Sequence, residues 1–177
     1  MADNWFTVDQ LREAAGSKQY TDQVRVELAA AVARRKVRSL CGPVSPVETV
    51  TERIRVRAPS DALPLKYRPA ALTSVTTWAG TVLTLADFTF DEQSLVRVDG
   101  GLMADSVTVV YTAGYAEASV PDELVQMAAL IGLQLLRVGK RFALNGDATD
   151  LAATGFLVPK AALDVAEDYL LAPGGFA

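Results

Sequence analysis

The chain has 177 residues, half of them hydrophobic, with 17 Lys and Arg against 21 Asp and Glu and a formal net charge of −4. It contains no histidine, which excludes a Ser-His-Asp triad, a Cys-His pair, a histidine zinc site and a histidine proton shuttle. Its one cysteine, Cys41, excludes an intrachain disulfide and a CxxC pair, and reads as a small apolar residue near a helix end.

A chain of this size buries about 70% of its unfolded surface, so one domain, or one domain with an arm, is expected to fold without metal or disulfide staples. No stretch approaches the roughly 20 apolar residues of a membrane span, and the first ten residues lack a basic and a hydrophobic signal-peptide region. A soluble protein that no signal peptide exports, with no membrane partner, is the expectation.

The expected fold class is α+β: a helical N-terminal pair and a long C-terminal helix around an antiparallel β-sheet insertion, followed by an extended C-terminal arm. The first helix spans 7–16, opened by Thr7 with Gln10 three residues on as a capping box. The second, over 21–41, stops at Gly42-Pro43 and turns Val26, Ala30, Ala33, Val37 and Leu40 to one face.

From 43 to 115 the texture becomes β-branched and polar, broken by Pro, Gly and Asp. Val50, Ile54 and Val56 mark the inner face of a first strand, with Arg53, Arg55 and Arg57 facing the other way. Pro59, Pro64 and Pro69 predict an extended loop. Leu72–Trp78 and Thr81–Leu85 then form a hairpin turning at Gly80, and segments 88–90, 94–98 and 107–111 continue a meander through the turn at Asp99-Gly100-Gly101.

A third helix is expected over 120–139, with Ser119 as candidate cap, Pro121 in the first turn and Asp122 and Glu123 near the positive end of the dipole. Leu124, Met127, Ala128, Ile131, Leu135 and Val138 share a face, while Leu130, Leu133 and Leu136 add apolar bulk elsewhere, as on a helix that is central or wedged between subunits. Residues 1–140 thus make the main domain and 141–177 the arm, with a short helix near 160–171.

Catalytic signals are weak. Asp122 with Glu123, Asp91 with Glu92, and nearby Asp87 offer carboxylates for acid-base work, but adjacent acids at helix starts and turns read as caps and solvated charge. Gly100, Gly101 and Gly114 do not form GxGxxG, and GxxxxGK[ST] is absent. Trp78, Phe88 and Phe90 have the spacing of sheet packing. Arg34, Arg35, Lys36 and Arg38 form the dense basic cluster. In an acidic chain without interleaved aromatics it reads as a solvated or subunit-contacting face rather than a DNA-binding stripe.

The segments Trp5–Arg12, Leu72–Leu83 and above all Val107–Tyr115 followed by Val120–Ala128 resemble tailed-bacteriophage head-tail connector (adaptor) proteins, over nearly the whole chain to about Arg137. The resemblance implies a structural virion protein without enzymatic activity or cofactor. Such proteins form a ring, commonly twelvefold, beneath the portal protein; a stopper or tail component docks on it, and double-stranded DNA passes through without sequence-specific binding. Assembly in the host cytoplasm and residence at the head-tail interface follow. The chain departs from the smaller, mostly helical members in its β half and its arm.

On that reading the arm docks on the portal through Phe142, Phe156, Leu157, Val158, Tyr169, Leu170, Leu171 and Phe176, and inter-subunit contacts involve Leu130, Leu133, Leu136, Arg34, Arg35 and Arg38. A head-closure (stopper) or tail-terminator ring is the nearest alternative. A carboxylate-based enzyme or small-molecule binding protein is the alternative from another class.

Overall fold

The computed structural model describes residues 5–16, 22–56, 59–103, 106–143 and 158–171. The fold is α+β, and the chain divides into two compact units: a helical one from Met1–Cys41 and Glu117–Ala177, and a β one from Gly42–Ala116.

The helical unit begins with α1 (Val8–Ala14), set by the capping box that its sequence predicts. Thr7 Oγ1 accepts from the Gln10 amide at 3.2 Å, and Gln10 Oε1 accepts from the Thr7 amide at 2.7 Å. In α2 (Gln23–Cys41), Asp22 caps the first turn by accepting from the Arg25 amide at 3.2 Å, and Val26, Ala29, Ala30, Ala33 and Val37 are buried. The long helix α3 (Asp122–Ala143) runs past the expected end at 139. Its first turn closes on the Pro121 carbonyl, which accepts from Leu124 and Val125, while Ser119 lies in a separate 3₁₀ turn (Glu117–Ser119) and is not the cap.

Leu124, Met127, Ala128, Ile131 and Leu136 of α3 are buried. α1 seats on α3 at Gly132, where a Cβ would stand 2.7 Å from Leu11 Cδ1. Part of the expected extended arm is folded. Residues 158–171 contain α4 (Lys160–Val165) and a 3₁₀ turn (Glu167–Tyr169) that bury Ala162 and Ala166 on the helical unit, and the Leu171 amide donates to the Leu40 carbonyl at 2.8 Å.

The β unit holds two three-stranded antiparallel sheets. One has the order β1-β6-β3, from β1 (Glu48–Arg55), β6 (Ser106–Ala113) and β3 (Pro69–Thr77); the other is β2-β5-β4, from β2 (Ala62–Pro64), β5 (Ser94–Arg97) and β4 (Phe88–Asp91). The expected meander is therefore interrupted: β6 does not pair with β5 but lies between β1 and β3. The alternating inner face of β6, Val107, Val109, Tyr111 and Ala113, is fully buried, and cover on both flanks comes from Val50 and Ile54 on one side and Val75 on the other.

The proline-rich loop is also partly strand. Pro64 ends β2 and Pro69 starts β3, positions where a missing amide costs little. The hairpin turn forms as expected at Gly80, whose φ of +83° suits glycine, with the Thr77 amide donating to the Thr81 carbonyl at 2.9 Å. Its returning limb holds a bridge of Thr76 to Val82 and then passes into a 3₁₀ turn (Leu85–Asp87) instead of a second full strand.

Candidate functional site

The carboxylates considered for acid-base work occupy turns and helix starts. Glu92 sits at φ +49° in the tight β4–β5 turn beside Asp91, and Asp122 and Glu123 lie exposed in the first turn of α3. Asp99 is held by Arg97: Nε donates to Oδ1 at 2.8 Å, and this bond, together with the Gly101 amide, lowers the Asp99 pKa. This clamp fixes the turn after β5.

The β unit does contain a polar centre that sequence reasoning missed. The Tyr111 hydroxyl donates to Glu52 Oε1 and accepts from the Tyr67 amide at 3.2 Å, while the Glu52 carboxylate also accepts from the Lys66 amide. Burial, then the bond to Glu52, raises the Tyr111 pKa above its ordinary value. The Gln93 side chain donates to the Lys66 carbonyl at 2.7 Å and extends the network. Each partner is satisfied within the unit, which describes a brace for the 65–68 connection rather than an open reactive site.

Cys41, the last residue of α2, is half-buried with its Sγ 3.8 Å from Met127 Sδ, and burial pushes the thiol up to about 11. At neutral pH it is protonated and a poor nucleophile.

The basic cluster is divided by the structure. Arg34 Nη1 donates to the Phe6 carbonyl at 2.7 Å and ties the segment before α1 to α2, Arg38 is half-buried, and Arg35 is exposed. The unforeseen Arg25 reaches the Leu136 carbonyl at 2.9 Å. Of the three leucines assigned to subunit contacts, Leu130 and Leu133 are half-buried. Leu136 is fully buried within its own helical unit, so its side chain has no free surface to offer a neighbour. Val158, Tyr169, Leu170 and Leu171 are half-buried; Phe156, Leu157 and Phe176, and the side chain of Phe142, lie outside the described residues.

The prominent exposed features are apolar. Trp78, expected in the sheet core, is instead 68% exposed because it lies just beyond β3 on the hairpin turn, where the Arg53 guanidinium stacks 4.3 Å from its ring centroid. Phe88 and Phe90 do pack against the core. On α2, Val24 and Leu28 are exposed on the face opposite the buried alanines. Their four-residue spacing was visible in the sequence, but it is overshadowed there by the longer inner stripe.

A cavity of about 400 Å³ opens between α1 and the first half of α3, over Phe6 and beside Glu13, Ala14, Asp122, Val125 and Ala129. The helical unit thus presents an apolar stripe and an acidic-rimmed groove, a geometry suited to docking other protein surfaces.

No family model and no curated protein matches the sequence. Among solved structures, the chain is similar to one in the neck of a native gene transfer agent particle computed with C12 symmetry, at a TM-score of 0.57 and 13% identity, covering 96% of this chain and 91% of that one. It is similar to a chain in the neck of an empty particle computed with C6 symmetry, at 0.58 and 14%, covering 97% and 92%. A chain of the native gene transfer agent virion matches at 0.57 and 14%, again covering 97% and 92%. At these identities what is shared is the fold, and it is shared over nearly the full length of both partners.

Proposed function

We propose that this chain is a structural neck protein of a tailed-phage-like particle: an adaptor subunit whose ring sits under the portal and joins the DNA-filled capsid to the stopper or tail. Double-stranded DNA passes through the ring without sequence-specific binding. The observation that carries this reading is the fold shared from end to end with chains in the necks of particles solved with twelvefold and sixfold symmetry. The surfaces are compatible with it: among the described residues Val24, Leu28 and Trp78 are exposed apolar side chains, and no buried side-chain polar atom lacks a partner.

The arm enters the proposal as the portal-docking element. Tyr169, Leu170 and Leu171 are half-buried at its base, where the Leu171 amide is tied to the Leu40 carbonyl of α2, and Phe142, Phe156, Leu157 and Phe176 are its candidate contacts.

Quantitative mass spectrometry of purified particles, scoring this polypeptide against the portal protein, tests the reading. Near-equal copy numbers are expected for an adaptor ring matched to the portal. A copy number well away from the portal's would favour the stopper or terminator reading, and absence from particles would overturn the structural role.

A further inference from the structure

Two patches of the helical unit are complementary in chemistry. The first is a stripe on α2: Val24, Leu28 and Ala31 succeed one another at four- and three-residue spacing and stack on one helical face. Val24 is 73% and Leu28 60% exposed, and Arg35, one turn further, projects from the same face into solvent. Glu27, beside the stripe, is engaged by the Gln23 side chain. The second patch is the α1–α3 groove, lined by the apolar Phe6, Ala14, Val125 and Ala129 together with Gln10, Gln126 and the two acids Glu13 and Asp122, with no basic residue among them.

We infer that the α2 stripe of one copy of this chain seats in the α1–α3 groove of the next copy, with Arg35 brought against Glu13 and Asp122. This rests on the ring reading above and names the surfaces that would close the ring. The occupant follows from chemistry: an apolar ridge ending in a cation matches a groove that offers apolar side chains and two anions, and both are present on every subunit. The stripe faces away from α3 and the groove is bounded by α3, so they are different surfaces. A contact between different surfaces is heterologous and closes into a ring when its rotation permits. The necks that contain chains of this fold were computed with C12 and C6 symmetry, the symmetries a closed ring of such contacts would have.

The test is sedimentation velocity of the full chain up to its solubility limit. Concentration-dependent association is expected, and Leu28→Glu shifts its midpoint by about tenfold or more. Arg35→Glu and Glu13→Arg each weaken association, and the double variant regains part of the loss. All three positions are exposed, so the thermal unfolding midpoint stays near that of the parent in each variant. A chain that stays monomeric throughout, association indifferent to Leu28→Glu, or a double variant no better than the singles overturns the inference. The two readings fail separately. Particles that hold the chain at portal stoichiometry even with Leu28→Glu would leave the neck role standing and remove this interface. Variant-sensitive association of a chain absent from particles would do the reverse.

Discussion

The helical and β units reach stability by different routes. In the helical unit, small residues set the approach: Ala29, Ala30, Ala33, Ala128, Ala162 and Ala166 are buried, and Gly132 receives Leu11. Bulk comes from Phe6, Met127, Ile131 and Leu136, and charged groups enter at the rim, where Arg25 and Arg34 reach backbone carbonyls. The β unit fills its core with branched and long side chains from two sheets and places a hydroxyl-carboxylate pair, Tyr111 with Glu52, against it. The first unit should therefore answer mainly to changes of volume, the second also to the loss of a single polar partner.

The largest expected effect lies in the helical unit. Ile131→Ala, at a fully buried position, should cost about 2–5 kcal/mol in chemical denaturation, because closely set helices have little room to collapse around the void. A loss under about 1 kcal/mol would show that this core relaxes freely and would break the contrast.

Tyr111→Phe keeps the ring and removes the hydroxyl, so Glu52 and the Tyr67 amide lose a partner at a cost of about 1–3 kcal/mol. The pH dependence sharpens the point. The folded pKa of Tyr111 is raised, so its contribution is fully present below the ordinary tyrosine value of about 10 and is lost as pH rises above it, where the unfolded chain releases the proton and the folded chain retains it. Denaturation followed from neutral to alkaline pH should show a shallower decline in Tyr111→Phe than in the parent. Equal slopes would place the pair outside the stability of the unit.

The smallest expected effect is at the edge of the helical unit. Thr7→Ala removes one half of the capping box and should cost about 1 kcal/mol, read as a lowered thermal midpoint. No change would mean that the Arg34 bond to the Phe6 carbonyl positions this segment without the cap.

The helices were largely legible in the sequence because their signals are local. Thr7 and Gln10 lie three residues apart, and the inner face of α2 repeats with the helical period. The sheets were legible as strands but not as partners: alternation at β6 shows which residues turn inward and is silent on which neighbours cover them. Position within an element misled in two places. Trp78 has the composition of a strand core but falls one residue past the end of β3, and Leu136 lies off the main apolar face of α3 yet is covered within its own unit. The docking surfaces were the least legible part. The groove joins residues more than a hundred positions apart, and the Val24–Leu28 stripe becomes visible as exposed only once the opposite face of α2 is known to be covered.

The entrance and exit of the β unit are fastened to each other. β1 and β6 are paired from Glu48 with Ala113 to Arg55 with Ser106, and just outside that ladder the Tyr115 amide donates to the Val44 carbonyl at 2.7 Å. The 75 residues from Gly42 to Ala116 therefore leave and rejoin the helical framework through one doubled stalk, as a cassette whose ends already meet. Such a cassette can be lengthened, trimmed or exchanged while the span the framework must bridge stays constant, because the closure cost of what it encloses grows only slowly with length. A lineage could thus rebuild the β unit without touching the helices.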